Sequence, residues 1–278
     1  MTTKPSFCLQ IATPKVRSAF TLMETVIAIG VLAVLLTGFL AVFTPAAQGI
    51  RRSISSQQAD RLTSTLEREM VTLREGQETT DITTGFDKAF DWLLKGNKTT
   101  TAQDENVIFV YQYRGDPSSL RDDGTPTPME DVDGQPGVNY TIQSMARRAS
   151  DPNFKGDTTT PGDISAIEGS VFYVKPSQLV LHDNSMKLLS AVPNEDKESG
   201  KIQHPIVTAP GPPVVVKLRN PVDSDDYNEA VLAISAEFYS VPTKSYEYLT
   251  NTGIDSSFKK RFDTATKPVF TRNLAVRR

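Results

Sequence analysis

Few residues in this chain have the types and spacings that carry out catalysis. The only histidines are His182 and His204, and neither has a serine, a cysteine or carboxylates at the spacing of a known catalytic or metal-binding motif. The sequence also lacks a phosphate-binding glycine loop, a dinucleotide fingerprint and a zinc-binding spacing. We therefore expect a protein that is not an enzyme, that needs no cofactor and that uses both histidines structurally.

Two short acidic segments are candidates for a metal site, and each of them ends in an Asp-Gly pair. Their carboxylates belong to Asp122, Asp123, Asp131 and Asp133. Calcium binds carboxylates on tight loops that contain glycine, but the spacing here is not that of a complete calcium loop. Asp-Gly pairs more often mark turns. We therefore predict surface turns and keep calcium binding as the weaker alternative.

Glu24 has the position that most strongly suggests a specific function. It directly precedes residues 25–43, a segment without any charged side chain. A carboxylate at the edge of hydrocarbon is costly unless a cation neutralises it. Cleavage between Ala19 and Phe20 would create an α-amino group about one helical turn before Glu24. Glu24 and this new amine could then form an ion pair.

The element that must position Glu24 is an apolar helix. Residues 25–43 carry apolar side chains on every face, and at about 1.5 Å per residue they span roughly 28 Å, close to the thickness of a bilayer. The preceding segment contains three basic residues, Lys4, Lys15 and Arg17, and no acidic ones. This charge favours a cytoplasmic N-terminus, a single membrane crossing and a head outside the cytoplasm.

The sequence Phe20-Thr21-Leu22-Met23-Glu24, with its basic leader, small Ala19 and apolar helix, resembles the type IV prepilins and pseudopilins. Met23 replaces the usual isoleucine and Ala19 the usual glycine, and the resemblance covers residues 17 to about 45. It implies that a prepilin peptidase cleaves before Phe20 and methylates the new amine. It also implies that Glu24 pairs with the Phe20 amine of a neighbouring subunit.

The same resemblance implies a pilin-like α+β fold and a structural function. The chain would be a subunit of a type IV pilus or of a type II secretion-like pseudopilus, held in inner-membrane lipid until it joins other pilin or pseudopilin subunits in an extracytoplasmic filament. Residues 169–176 and 214–221 are also loosely similar to cassette-encoded prepilin-like proteins of Verrucomicrobia, which favours a minor or specialised subunit.

Two other interpretations of the apolar segment stay open. A secretory signal peptide places its cleavage site after an apolar core of about 7–15 residues, whereas this run is longer. An uncleaved signal anchor fits the length and the leader charge, and it would make the protein an extracytoplasmic binding protein that does not polymerise.

The rest of the sequence predicts an α+β head. Ile50, Ile54, Leu62, Leu66, Met70 and Leu73 form an amphipathic stripe, so residues 20–75 are predicted to be one long helix whose second half packs on the head. Gly38 and Pro45 predict a kink or a locally melted stretch in residues 38–49. A second helix is expected at residues 85–95. Strands are predicted at residues 107–113, 138–145, 170–174, 186–189, 214–219 and 230–239.

The predicted organisation is a leader at residues 1–19, the long helix at 20–75 and a head at 76–258 that forms an antiparallel sheet over the helix. Polar segments at residues 115–136, 150–163 and 194–200 are predicted to be surface loops. Residues 259–278 form a basic tail, in which seven basic residues accompany only Asp263. We favour a frayed, solvated tail, and docking onto an acidic neighbour is the alternative.

Charge and cysteine content limit the remaining functions. The sequence contains 30 basic and 33 acidic residues, and the three basic leader residues would be lost on cleavage. The resulting negative charge argues against general nucleic-acid binding. Cys8 is the only cysteine and lies in the leader, so the processed chain could form no internal disulfide.

Overall fold

The chain combines one long helix with an antiparallel sheet, and the predicted α+β class is therefore confirmed. The computed structural model describes residues 21–96, 106–129, 139–182, 185–188, 202–206, 214–217, 224–227, 229–250 and 267–278. The contacts divide the chain into two units, residues 1–51 and residues 52–278.

Helix α1 (Leu22–Val71) is the longest element. It is helical across residues 38–49, Pro45 included, so this stretch is not melted in the structure. Its end lies a few residues before the predicted one, and the chain then turns at Gly76, whose φ of 81° suits a residue without a Cβ.

In the first unit, α1 exposes its apolar side chains. Fourteen large hydrophobic residues between positions 22 and 43 are each 54 to 83% exposed: Leu22, Met23, Val26, Ile27, Ile29, Val31, Leu32, Val34, Leu35, Leu36, Phe39, Leu40, Val42 and Phe43. This part of the helix is long and apolar enough to cross a membrane. It is a candidate membrane span.

In the second unit, the C-terminal half of α1 buries one face. Ala59, Leu62, Leu66 and Met70 are buried at the helical spacing that the amphipathic pattern predicted. The stripe begins later than predicted, because Ile50 and Ile54 are exposed. Helix α2 (Gly85–Gly96) contributes further apolar residues to the same core and confirms the second predicted helix.

The strands, in chain order, are β1 (Ile108–Leu120), β2 (Pro126–Pro128), β3 (Thr141–Arg148), β4 (Ile167–His182), β5 (Ser185–Leu188), β6 (Gln203–Ile206), β7 (Val214–Lys217), β8 (Val231–Ser240) and β9 (Phe270–Arg277). The main sheet runs β3, β1, β4, β8, β9 from edge to edge, with all neighbours antiparallel. Strand β2 pairs with the end of β1, and β5 pairs with the end of β4. Strands β6 and β7 form a separate two-stranded sheet.

Alternate residues of the strands fill two cores on opposite faces of the main sheet. The helix-side core contains the buried residues of α1 and α2 together with Ile108, Val110, Phe172, Leu232 and Leu274. The outer core is rich in aromatic side chains, among them Phe109, Tyr111, Tyr113, Phe154, Tyr173 and Tyr239. It is closed by two short segments, the helix α3 (Pro152–Lys155) and the 3-10 turn Asp163–Ala166.

Parts of several predicted loops belong to strands or to the core instead. Residues 115–120 continue β1, although residues 117–120 are exposed, residues 126–128 form β2, and Phe154 and Asp163 are completely buried. These segments were interpreted as surface loops because their composition is polar, but Asp163 is paired with Arg121 and Arg147 inside the head. The predicted loop at residues 194–200 lies outside the described residues.

The C-terminal segment is also different from the prediction. Residues 270–277 form strand β9, which pairs with β8 along its whole length, so this part of the basic tail is not frayed. Leu274 and Val276 reach the helix-side core, and their burial supplies the free energy that holds the strand in place.

Candidate functional site

The predicted processing and assembly site is described in part. Ala19 and Phe20 lie outside the described residues, whereas Glu24 lies in the first turn of α1 with its side chain exposed. The Thr21 amide donates a hydrogen bond to Glu24 Oε2 at 3.4 Å, and the Glu24 amide donates one to Thr21 Oγ1 at 3.3 Å. This reciprocal pair is a capping box, which satisfies two amides that the helix itself leaves free.

The capping box gives Glu24 a local function that the sequence analysis missed. Its signal was present in the sequence, because a threonine followed three residues later by a glutamate before an apolar run is the pattern of a capping box. Within the described residues, Glu24 forms no ion pair. The structure therefore shows one role for this carboxylate, and pairing with a neighbouring amine stays a prediction.

The two histidines are separated by the fold. His182 is the last residue of β4 and pairs with Ser185, whereas His204 lies in β6 and pairs with Val216 of the separate sheet. The two histidines therefore lie in different sheets.

The acidic segment at residues 122–124 leads to the most unusual feature of the head. Asp123 is buried, and Arg147 Nη2 and Asn153 Nδ2 donate hydrogen bonds to its Oδ2 at 2.7 and 2.9 Å, while Thr125 donates to Oδ1. Both oxygens of this carboxylate are thus satisfied by protein groups. Asp131 and Asp133 lie outside the described residues. Among the residues that the structure describes, no group of three acidic, histidine or cysteine side chains could hold a metal ion.

Arg147 is the centre of a buried charge network. Its Nε donates to Asp163 Oδ2 at 2.9 Å and its Nη1 donates to Asp151 Oδ2 at 3.1 Å, in addition to the bond to Asp123. Asp163 also accepts hydrogen bonds at 2.6 Å from Arg121 and from the Tyr111 hydroxyl. A guanidinium with three carboxylate partners satisfies the rule that buried charges must be paired.

The electrostatics of the network follow from this geometry. Burial alone would raise the pKa of Asp123, but the hydrogen bonds from Thr125 and the charge of Arg147 lower it to about 2. Burial likewise opposes the charge of Arg147, yet the surrounding anionic groups raise the pKa of its guanidinium. Both residues are therefore charged at neutral pH, and each stabilises the charge of the other.

The network continues to the end of α1. Arg74 follows this helix and donates to both carboxylate oxygens of Glu69, at 2.6 and 2.8 Å, and to the Asp123 backbone oxygen at 3.1 Å. The side chain of Glu69 is only 1% exposed. Its burial is possible because Arg74 forms a bidentate pair with it.

Lys88 of α2 forms a second link to the end of α1. Its Nζ donates hydrogen bonds to the Thr72 backbone oxygen at 2.6 Å and to Gln77 Oε1 at 2.7 Å. The same ammonium lies 4.9 Å from the centre of the Trp92 ring. Burial lowers the pKa of Lys88 to about 8, despite the attraction of Glu69. The C-terminal end of α1 is thus held to the head by two cations, the buried Lys88 and the partly buried Arg74.

A groove of about 880 Å³ lies over this region. Its lining includes four cations, Lys88, Arg121, Arg147 and Arg148, and four anions, Glu75, Asp122, Asp123 and Asp151. The formal charges of these eight residues sum to zero. Trp92 is buried and lies against Lys88 and Arg148, so its indole is a packing residue and not an open platform.

Sequence reasoning missed the network because its members are scattered over polar segments. One signal was available: in β3, Met145 and Arg147 are two residues apart and must point to the same face of the sheet. An arginine that continues a buried face requires buried acidic partners. Their identity depends on how the loops fold, which the spacing of Asp123, Asp151 and Asp163 does not reveal.

Comparisons of the chain with protein-family models, with curated proteins and with solved structures found no match.

Proposed function

We propose that this chain is a structural subunit, minor or specialised, of a type IV pilus or a type II secretion-like pseudopilus. A prepilin peptidase would cleave it between Ala19 and Phe20, and α1 would anchor it in the inner membrane until it joins other subunits. The observation that carries the proposal is the surface of α1. Its first half exposes large apolar side chains on all sides, before and after Glu24, while the buried carboxylates Asp123 and Asp163 are paired with Arg147 within the head.

The proposed mechanism of assembly follows from the exposed apolar surface of α1 and from the carboxylate of Glu24. Apolar side chains that cover a whole helix must be surrounded by lipid or by other helices. In a filament, helix contacts replace lipid contacts and are stabilised by packing. The Phe20 amine of one subunit would neutralise Glu24 of its neighbour in this low-dielectric environment, and an unpaired carboxylate would oppose assembly there.

The capping box favours one competing function. An uncleaved, membrane-anchored extracytoplasmic protein would also retain Glu24, because the carboxylate caps the start of its anchor helix. In that case Glu24 needs no partner from another chain. The two functions therefore predict different consequences when the charge of residue 24 is removed and the capping geometry is kept.

Two substitutions at one position separate these functions. We expect Glu24→Gln to insert normally into the membrane but to lower filament incorporation at least about tenfold, the loss that corresponds to ~1.4 kcal/mol. Glutamine keeps the capping interaction but carries no charge. Glu24→Ala removes both and should be equally defective. Incorporation is measured by quantifying the subunit in sheared filaments against the subunit left in membranes.

The outcome pattern identifies the role of Glu24. Loss of assembly in Glu24→Ala alone, with normal assembly of Glu24→Gln, would show that capping is the requirement and not charge pairing. N-terminal sequencing of the native protein provides an independent check. Processing predicts Phe-Thr-Leu-Met-Glu, and a plain anchor predicts Met1 or Thr2.

A further inference from the structure

Strand β9 forms one edge of the main sheet. Its residues pair with β8, and no other strand in the described part of the chain pairs with it. The Arg278 amide donates a hydrogen bond to the Ala230 oxygen. Because the register between β8 and β9 is unbroken, every second residue before Arg278 also directs its amide toward β8. In an antiparallel ladder, the amides of Thr271, Asn273 and Ala275 therefore point away from β8.

The edge carries positive charge on both faces. Arg272 lies on the side of the helix-side core, because it is two residues from Leu274, and Arg277 lies on the opposite side. Both side chains are exposed, and neither forms an ion pair with another residue that the structure describes. Residues 267–278 contain four basic residues and no acidic one.

The rest of the chain has the complementary charge. The whole sequence has a net charge of −3, so the other 266 residues together carry −7 once the four basic residues of this segment are set aside. Pairing between two β9 strands would bring the arginines of both copies together, which is unfavourable. A contact between this edge and an acidic segment of another copy joins opposite charges instead.

We propose that β9 is an interaction edge that takes an extended, acidic segment of a second copy of this chain. The outward-pointing amides supply backbone hydrogen bonds, and Arg272 and Arg277 supply charge selectivity. Because the two contacting surfaces differ, the contact is head-to-tail, and it forms wherever two copies of this chain are neighbours in an assembly. The inference rests on the proposed function, since a filament is the assembly that places such copies side by side.

The contact is detected with a photoreactive benzophenone side chain in place of Asn273, in full-length chains that have been assembled in their native membrane. We expect a covalent product with the mass of two copies. The matched control places the same group at Ile142, which is exposed on β3 at the opposite edge of the sheet. A cross-link from position 273 to a different protein, or a yield no higher than that of the control, would overturn the inference.

Three further variants test the charge and the hydrogen bonding of the contact. Arg272→Glu with Arg277→Glu should lower the cross-linked fraction at least about tenfold, and Arg272→Lys with Arg277→Lys should leave it nearly unchanged. Ala275→Pro removes one outward amide but keeps the ladder to β8, and it should also lower the fraction. Thermal melting of each variant confirms that the head is folded.

The results distinguish the inference from the proposed function. Filaments of normal abundance, with no cross-link from position 273 and no effect of the β9 variants, would overturn the inference and leave the filament function intact. Wild-type chains that never associate would overturn both.

Discussion

The two halves of α1 differ in where their apolar side chains lie. Residues 22–43 expose apolar side chains on all faces, whereas residues 59–70 bury one apolar face against the sheet and turn a polar face to solvent. The second unit also buries several charged side chains, among them Glu69 of α1 and Lys88, Arg147 and Asp163. A residue's type therefore does not decide its location. These charges are buried where ion pairs or hydrogen bonds satisfy them, whereas the first half of α1 leaves its apolar side chains exposed.

Removal of Arg147 is expected to have the largest effect on the head. Arg147→Met should lower the free energy of unfolding by ~3–5 kcal/mol, because it leaves the buried Asp123 and Asp163 and the partly buried Asp151 without their shared cation. The measurement is denaturant unfolding of the full chain in detergent. The control is Arg61→Met on the exposed face of α1, which should change stability by less than ~0.5 kcal/mol. A loss of stability in Arg147→Met that is as small as the loss in the control would mean that the network adds no stability.

The same leucine substitution in the two halves of α1 should have unequal effects on the head. Leu66 is 0% exposed and Leu36 is 57% exposed. Leu66→Ala should cost the head ~2–5 kcal/mol, because it removes packed methyl groups and leaves a cavity. Leu36→Ala should leave the unfolding midpoint of the head unchanged. A comparable loss from Leu36→Ala would mean that Leu36 contributes to the stability of the head, which would contradict the exposure of its side chain.

The smallest expected effect is the change in the free energy of unfolding with pH that is caused by Lys88. Its pKa is about 8 in the folded head, below the 10.5 of a free lysine, so the unfolded chain binds more protons between these values. The stability cost of burying the ammonium is full below pH 8 and is relieved as the pH rises toward 10.5. Relative to Lys88→Met, the wild type should gain ~2 kcal/mol between pH 7 and pH 9.5.

The Lys88 measurement compares unfolding midpoints of the two proteins at each pH, so that titrations common to both cancel. A difference that is constant with pH would show that Lys88 stays fully charged in the folded head. Such a result would mean that its bonds to Thr72 and Gln77 offset the burial of its charge.

The elements with a regular pattern were predictable from the sequence. The apolar segment, the amphipathic half of α1, helix α2 and the longer strands all follow from periodicity, although β3 lies three residues later than expected. Strand β9 was missed because Arg272, Asn273 and Arg277 made an edge strand look like a solvated tail. Edge strands tolerate charge on their exposed residues, and such charge also protects them from unwanted pairing.

The buried charge network could not be predicted from sequence patterns. Asp123 and Asp163 were placed in surface loops because isolated carboxylates are rarely buried. Their burial is possible because side chains from other parts of the chain donate hydrogen bonds to them. Arg147 donates to both carboxylates, and Arg121 and Tyr111 donate to Asp163. The Thr21–Glu24 capping box, in contrast, was readable from local spacing and was overlooked because Glu24 was considered only as a partner for another chain.

The helix-side core has a consequence for the order of folding. It joins Leu66 and Met70 of α1 to Leu274 and Val276 of β9, groups separated by roughly 200 residues, so its closure depends on contacts of very long sequence range. Translation delivers α1 first and β9 long afterwards, and domains form as their parts emerge. If the apolar half of α1 spans a membrane, it can therefore enter the bilayer while the head is still incomplete. The head would then fold on a tethered chain, which keeps its nascent core away from collisions with other unfinished heads.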